Sequence, residues 1–207
     1  MASNLAPGLL LAAPQLGDPN FLRSVVLLAH HDENGALGWV LNGRALVSVS
    51  ELLRDADLIP PGVVLPATAP FASLVRVGGP VMPGSAWIVY EQTPAFPAFD
   101  GVRDLGDGYA VTGAREAVEA IARGDAPARF RMFLGYAGWG PAQIEGEIQR
   151  GAWLPASIVF SLLLDDDADR LWDAAYHATV GTSPMAFTGG SGGTRGSALQ
   201  ARSAKIS

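Results

Sequence analysis

The stretch LLAHHDENGALGWVLN, residues 27–42, places two apolar runs on either side of a short polar segment. An Asn-Gly pair between apolar runs is a strong local signal for a β-hairpin, because Asn34 and Gly35 both tolerate positive φ. We therefore predict strands over 23–31 and 35–42, with a turn set by Asn34-Gly35. The polar residues of the stretch then lie mainly at the tip of a hairpin.

Two histidines, His30 and His31, are neighbours in the first of these strands. Successive side chains of a strand point to opposite faces, so these two imidazoles cannot bind one metal ion. The third histidine, His177, is far away in the sequence, and a zinc site would need carboxylates from elsewhere. We expect neither a metal nor another cofactor. One histidine is expected to pack in the core and the other to be solvated, while a role for one of them as acid, base or pocket donor stays open.

The composition limits the possible chemistry. With 207 residues, 49% of them hydrophobic, the chain can bury a sizeable core. The net charge of −6 argues against direct nucleic-acid binding, which usually needs a basic face. A single lysine, Lys205 in the tail, leaves no P-loop lysine and no plausible Schiff base, and the absence of cysteine excludes thiolate and disulfide chemistry. The chain shows neither a signal-peptide pattern nor a membrane-length apolar run, so we expect a soluble cytoplasmic protein.

The rest of the sequence mixes strand and helix patterns without a regular β-α-β rhythm, which is typical of the α+β class. We predict one domain over 1–187 and a disordered Gly/Ser-rich tail over 188–207. The predicted strands cover 8–14, 74–92 with a Gly-Gly-Pro turn inside, 109–112, 128–138 and 157–164. The predicted helices cover 48–58, 113–124, 140–151 with Pro141 at its first position, and 167–181.

The stretch GYAGWGPAQIEGE, residues 135–147, is the most informative for function. Its glycines leave a strand and enter a helix, where open backbone amides could bind an anion or a carbonyl group. Gln143 and Glu147 are one turn apart on one helix face. A tight strand-to-helix turn explains the glycines equally well, so both interpretations stay open. Similarly, VGGPVMPG at 77–84 indicates a tight turn or a close backbone approach.

Two short motif matches carry no function. GGSGG at 189–193 fits the nucleophile pattern G-x-S-x-G, but it lies in the Gly-rich tail without a preceding strand or a following helix. LDDDADR at 164–170 resembles a calcium loop, but Arg170 and Tyr176 stand where that loop needs Gly and Glu. An acidic helix N-terminus, favoured by the helix dipole, explains this run.

Three longer motifs resemble, in order, those of the YqgE/AlgH-like family of small bacterial proteins: PGLLLAAPQLGDPNFLRSVVLLAHHDENGALGWVLN, GGPV and LGYAGWGPAQIEGEIQRGAWL. The resemblance covers residues 7–181. Where the family reads Asn-Arg-Pro, this chain has Asn42-Gly43-Arg44. It also has His30-His31 in place of Glu-His, and Gln143-Ile144-Glu145 in place of Gln-Leu-Glu.

The resemblance implies an α+β fold with a strongly bent, partly barrel-like mixed sheet flanked by helices. Members are often labelled transcriptional regulators, and no catalytic residue is carried over. We expect the motif positions and their neighbours to form one binding groove, with these candidate residues: Arg23, Ser24, His31, Asn42, Gly78, Gly79, Gly138, Trp139, Gln143 and Glu145.

Three functions are open at this point. The first is a non-enzymatic regulatory or binding protein, which takes an unknown protein or small-molecule partner in a groove of the hairpin and the Gly-Trp-Gly turn. The second is an enzyme or small-molecule-binding protein, with His31 or Glu145 as acid or base and helix N-terminal amides as anion donors. The third, direct DNA binding, would need a local cluster of Arg129, Arg131 and Arg150. The oligomeric state is left open.

Overall fold

A computed structural model describes residues 5–184, in which the chain forms ten strands and five helices. The predicted tail over 188–207 lies outside the described residues. The strands are β1 (Gly8–Ala12), β2 (Val25–Asp32), β3 (Gly35–Val40), β4 (Ala45–Ser48), β5 (Leu74–Val77), β6 (Val81–Glu91), β7 (Arg103–Gly106), β8 (Tyr109–Thr112), β9 (Phe130–Trp139) and β10 (Trp153–Ala156). The helices are α1 (Val49–Asp55), α2 (Arg115–Ala122), α3 (Gln143–Gln149), α4 (Phe160–Leu163) and α5 (Ala168–Val180).

The described strands join one sheet in the order β10-β1-β2-β3-β9-β6-β8-β7, with β4 attached to β5 and β5 to β9. The sheet is mixed: β5 runs parallel to β9, while the other pairs are antiparallel. The end strands β10 and β7 are not paired with each other, so the sheet stays open. The predicted α+β class is confirmed. The sheet, which was predicted to be partly barrel-like, does not close into a barrel.

The predicted hairpin is confirmed, but its turn differs from the prediction. Asp32 pairs with Gly35, so the turn residues are Glu33 and Asn34. Of these positions only Gly35 has a positive φ, 135°. An added Cβ at Gly35 would overlap the backbone carbonyl of Trp139. The glycine is therefore required by the close approach of β9, which the local sequence did not indicate.

Two other predictions were wrong. Residues 157–164 do not form a strand. The strand β10 ends before them, at Ala156, and pairs with β1, and α4 lies within them. An apolar run of this length does not distinguish a buried strand from a buried helix by periodicity. Pro141 is not the first residue of α3, because Ala142 lies between them in the left-handed conformation, with φ 57°. In addition, β7 lies in a region for which neither a strand nor a helix was predicted.

Helices cover both faces of the strand pair β1–β2, because alternate residues of β2 point in opposite directions. Val25 and Leu27 pack in the same cluster as residues of α5, whereas Val26 and Leu28 pack in a second cluster with Ile144 of α3. The helices α1 and α2 pack against the far half of the sheet in a third cluster. This arrangement places α3 beside the end of β9, where the candidate site lies.

Candidate functional site

The side chain of Gln143, the first residue of α3, holds the start of this helix through two hydrogen bonds. Gln143 Oε1 accepts a hydrogen bond from the Gly140 amide at 3.0 Å, and Gln143 Nε2 donates to Glu147 Oε1 at 2.9 Å. The Gly140 amide is therefore already occupied by a side chain of the protein. The glycine-rich segment connects β9 to α3 and positions Gln143 over Glu147, which is the tight-turn interpretation of this sequence.

Glu147 is the centre of the hydrogen-bond network. Its Oε2 atom accepts from Trp139 Nε1 at 3.0 Å and from Trp153 Nε1 at 2.8 Å. Both indoles are buried, with exposures of 6% for Trp139 and 4% for Trp153. Because buried indole N–H groups need acceptors, this one carboxylate satisfies two donors from different strands.

Three aromatic rings pack around this carboxylate. Phe21 stacks on Trp139, with ring centroids 6.1 Å apart, and meets Trp153 edge-on at 5.5 Å. Trp139 and Trp153 meet edge-on at 6.0 Å. Such geometries are favourable for aromatic pairs, so the loop residue Phe21 is fixed against β9 and β10.

The network borders a cavity of about 310 Å³, which we call the aromatic cleft. Its lining combines the aromatic rings with two carboxylates, Asp18 and Glu147. The lining residues are Leu16, Asp18, Phe21, Pro80, Gly138, Trp139, Gln143, Glu147, Ala152 and Trp153. Within residues 5–184, neither Asp18 nor Glu147 forms a salt bridge. The cleft therefore carries negative charge beside aromatic surface.

A second cavity, of about 330 Å³, shares Pro80 with the aromatic cleft. Pro19 and Asn20 line it on one side, and Gly79 and Arg44 contribute elsewhere. The segment around 16–21 therefore contributes residues to both cavities.

Two of the candidate glycines act by allowing the backbone to approach closely. A Cβ at Gly78 would meet the Gly135 carbonyl and the Trp39 ring, and a Cβ at Gly79 would overlap the backbone of Tyr136. These contacts settle the meaning of Gly78-Gly79-Pro80: the turn packs directly on β9. Gly79 also lines the second cavity.

His31 and Glu145 form a pair outside the aromatic cleft. His31 Nδ1 accepts from the Leu5 amide at 3.3 Å, so Nε2 carries the proton that it donates to Glu145 Oε1 at 2.9 Å. The His31 side chain is only 5% exposed. The neighbouring His30 is 41% exposed and contacts Asp32 at 3.1 Å. The prediction of one packed and one solvated histidine is confirmed.

The pair gives a pH-dependent prediction. A hydrogen bond with its own backbone, followed by the one from His31, lowers the pKa of Glu145 below its ordinary value of 4.5. Because the pKa is lower in the folded state, this stabilisation is present above about pH 4.5 and is lost as the pH falls below it. We expect the melting-temperature difference between the wild type and Glu145→Gln to be larger at pH 6 than at pH 3.

Thermal melts of both proteins, monitored by circular dichroism, measure that difference. Glu116→Gln, an exposed position on α2, is the matched control for loss of a carboxylate. A difference for Glu145→Gln that stays constant from pH 6 to pH 3 would contradict the assignment of Glu145 as the titrating partner.

Arg23, Ser24 and Asn42 hold the chain at the start of β2. Asn42 Oδ1 accepts from the Val25 amide at 2.8 Å, and Asn42 Nδ2 donates to the Arg23 carbonyl at 2.8 Å. The Arg23 guanidinium lies 5.6 Å from the centroid of the Trp172 ring. Ser24 is only 3% exposed. Arg23 and Asn42 therefore contact other parts of the protein itself, and none of the three residues lines either cavity described above.

Four of the ten candidate residues line the two cavities described above. Gly138, Trp139 and Gln143 line the aromatic cleft, Gly79 lines its neighbour, and the other six are not among the lining residues of these two cavities. The list of candidate binding residues left out four cleft residues: Asp18, Phe21, Glu147 and Trp153. Asp18 and Trp153 stand at family motif positions, and Glu147 lies one turn from Gln143. No local signal marks Phe21, because its role depends on a contact with two distant strands.

The arginine and aspartate clusters also have structural explanations. Arg131 is only 3% exposed, so it cannot contribute to a surface cluster with Arg129 and Arg150. The acidic run at 165–169 caps α5, where Asp167 Oδ1 accepts from the Arg170 amide at 3.2 Å. Among residues 5–184, no group of three or more His, Asp or Glu side chains is placed to hold a metal ion. No helix in this range has the length and apolar character needed to span a bilayer.

The fold and cleft define a class: an open α+β sheet whose central strand ends in an aromatic, acidic cleft. The AlgH-like family model, DUF179, matches residues 9–183, and the chain belongs to this AlgH-like family. A UPF0301 protein of Anaeromyxobacter sp. strain K is 40% identical over 193 residues, 92% of this chain and 95% of the relative. A UPF0301 protein of Myxococcus xanthus is 37% identical, covering 91% of this chain and 98% of that protein.

Two solved structures share the fold. The solution structure of AlgH from Pseudomonas aeruginosa matches with a TM-score of 0.69 and 28% identity, covering 94% of this chain and 98% of that one. A crystal structure of a Corynebacterium diphtheriae protein matches with a TM-score of 0.65 and 24% identity, covering 84% and 86%. The resemblance of the sequence to the YqgE/AlgH-like family is confirmed.

Proposed function

We propose that this protein is a non-enzymatic regulatory or binding protein, and that it takes a cationic group of a ligand or protein partner in the aromatic cleft. One observation carries the proposal: Asp18 and Glu147 line a cleft of about 310 Å³ with aromatic walls, and neither carboxylate forms a salt bridge within residues 5–184. Aromatic rings combined with carboxylates are the chemistry that recognises ammonium and guanidinium groups.

The contacts of Glu147 strengthen this assignment. Its three hydrogen-bond donors, the two indoles and the Gln143 amide, are all neutral. They hold the carboxylate in position without neutralising its charge. A cation that enters the cleft would therefore meet an oriented, uncompensated negative group, with the Asp18 carboxylate on the same lining.

The enzymatic alternative has less support from the geometry. Both ring nitrogens of His31 have partners, the side chain is 5% exposed, and His31 is absent from the linings of both cavities described above. A general acid or base needs to reach its substrate within hydrogen-bond distance. Direct DNA binding is also disfavoured, since Arg131 is buried and the charge of the cleft has the wrong sign.

A titration with choline tests the proposal, with the Trp139 and Trp153 indole N–H resonances as the readout. We expect saturable shifts of both signals with choline and none with 3,3-dimethyl-1-butanol, which has the same shape without the charge. Asp18→Asn should weaken choline binding several-fold, and Phe21→Ala should do so by about tenfold, because an aromatic contact to a desolvated cation contributes about 1–2 kcal/mol.

Phe99→Ala is the matched control, since Phe99 packs against Phe96 in the other half of the molecule. It should leave choline binding unchanged. Equal shifts with choline and its neutral analogue would show that charge is not recognised. No saturable shift with choline would reject the cationic ligand.

A further inference from the structure

Two arginines, Arg76 and Arg131, lie buried side by side in the sheet. Neither of them lines the aromatic cleft. Arg76 of β5 is 9% exposed and Arg131 of β9 is 3% exposed. The strands are parallel neighbours, with Arg76 opposite Phe133, two residues after Arg131. Buried guanidinium groups normally require a full set of acceptors, because burying a charge without partners is costly.

Their acceptors are incomplete. Arg131 Nη2 donates to Asp166 Oδ1 at 2.6 Å, and Arg76 donates to the Gly43 carbonyl at 3.1 Å and to the Asp166 carbonyl at 3.3 Å. Arg131 Nη1 and Arg76 Nε are buried and have no partner in the described structure. The Asp166 carboxylate therefore pairs with Arg131 alone, and the hydrogen-bond acceptors of Arg76 are backbone carbonyls. The Asp165 carboxylate acts on Arg131 only at a distance.

The Asp166 side chain is the exposed part of this cluster. It is 75% exposed, whereas the Arg131 side chain with which it pairs is 3% exposed. Asp166 also lines two cavities, one of about 110 Å³ with Arg129 and Arg131, and one of about 310 Å³ with Arg76. Because these cavities share Ala69, Ser73 and Asp166, they are neighbours. Arg131 lines the smaller cavity and Arg76 the larger one, so the two arginines and Asp166 border one pair of adjoining cavities.

We propose that Arg76 and Arg131 form a binding site for an oxyanion, a phosphate or carboxylate group of a ligand, and that the Asp166 carboxylate occupies this site when the ligand is absent. Guanidinium groups bind such oxygens through paired hydrogen bonds, and the two unpartnered N–H groups supply donors that Asp166 leaves unused. Arg129, which lines the smaller cavity, adds a third positive group at its edge.

Chemical rescue of Asp166→Ala tests this site, with inorganic phosphate and acetate as probes. We expect 10 mM phosphate to raise the melting temperature of Asp166→Ala by about 3–5 °C relative to chloride at equal ionic strength. A shift of this size is expected in a chain of this length when the phosphate concentration is about ten times the Kd. The wild type should shift by less, because its own carboxylate competes. Asp165→Ala is the matched control: it removes the same charge one residue away, from a side chain that makes no hydrogen bond to either arginine.

Each result of this experiment either supports the proposed oxyanion site or overturns it. Rescue by both anions, or by phosphate alone, supports the site and distinguishes a general oxyanion site from a phosphoryl-specific one. Equal shifts in Asp165→Ala and Asp166→Ala would indicate a general effect of charge and overturn the proposal, and so would the absence of any anion-specific shift in a folded Asp166→Ala. Arg76→Gln combined with Asp166→Ala should abolish the rescue, while Arg103→Gln, an exposed position on β7, should not.

Discussion

Replacing Gly79 with alanine is expected to destabilise the protein by about 4 kcal/mol or more, among the largest effects of a single substitution. An added Cβ would overlap the carbonyl group of Tyr136 and the amide of Ala137. These are backbone atoms of β9, which lies in the sheet between β3 and β6 and is hydrogen-bonded to both. Since neither side can move without breaking strand pairs, the clash is relieved only by separating the turn from the sheet.

Urea unfolding measured by tryptophan fluorescence gives this free energy directly. Gly84→Ala is the matched control, because a Cβ at Gly84 would meet nothing within 4 Å. It should change stability by no more than about 0.5 kcal/mol. If Gly79→Ala unfolds at the same urea concentration as Gly84→Ala, the close approach of the turn to β9 is wrong.

Replacing Glu147 with alanine is expected to cost about 3 kcal/mol of folding stability and to abolish cation binding. The substitution leaves the indole N–H groups of Trp139 and Trp153 buried without an acceptor, and each such loss costs about 1–3 kcal/mol. It also removes the Gln143 partner. Glu147→Gln separates the two effects: its amide oxygen can still accept a hydrogen bond, but its negative charge is gone.

Urea unfolding and the choline titration together measure both consequences. We expect Glu147→Gln to keep more stability than Glu147→Ala and still to bind choline at least several-fold more weakly than the wild type. Glu116→Ala on the exposed face of α2 is the control and should change neither property. A fully stable Glu147→Ala would show that the indoles find another acceptor, and choline binding by Glu147→Gln at wild-type affinity would remove the carboxylate from the site.

Several elements could be predicted from local sequence because local physics determines them. Ser48 caps α1 through a capping box with Glu51, and the two apolar runs around residues 32–35 form the hairpin. The helices over 113–124 and 167–181 follow from periodicity and their end residues. Such patterns need only neighbouring residues, so they are visible before the fold is known.

The candidate site was only partly predictable for the opposite reason. The sequence marked Trp139 and Gln143, but it also marked Asn42 and His31, whose contacts are structural. Family motifs identify residues that a fold needs, and a residue that holds a strand leaves the same pattern as one that binds a ligand. The sequence alone could not separate these two groups.

The sequence by itself determined the α+β class, the hairpin, the polar side of α3 and the absence of thiol chemistry. Only the tertiary structure brought Phe21 onto Trp139 and Trp153, placed Glu147 between the two indoles and buried Arg76 and Arg131 together, with a carboxylate hydrogen-bonded to Arg131 alone. These contacts join residues from different strands and loops. They exist only because the open sheet folds distant segments together, and their energies depend on burial, which no local pattern encodes.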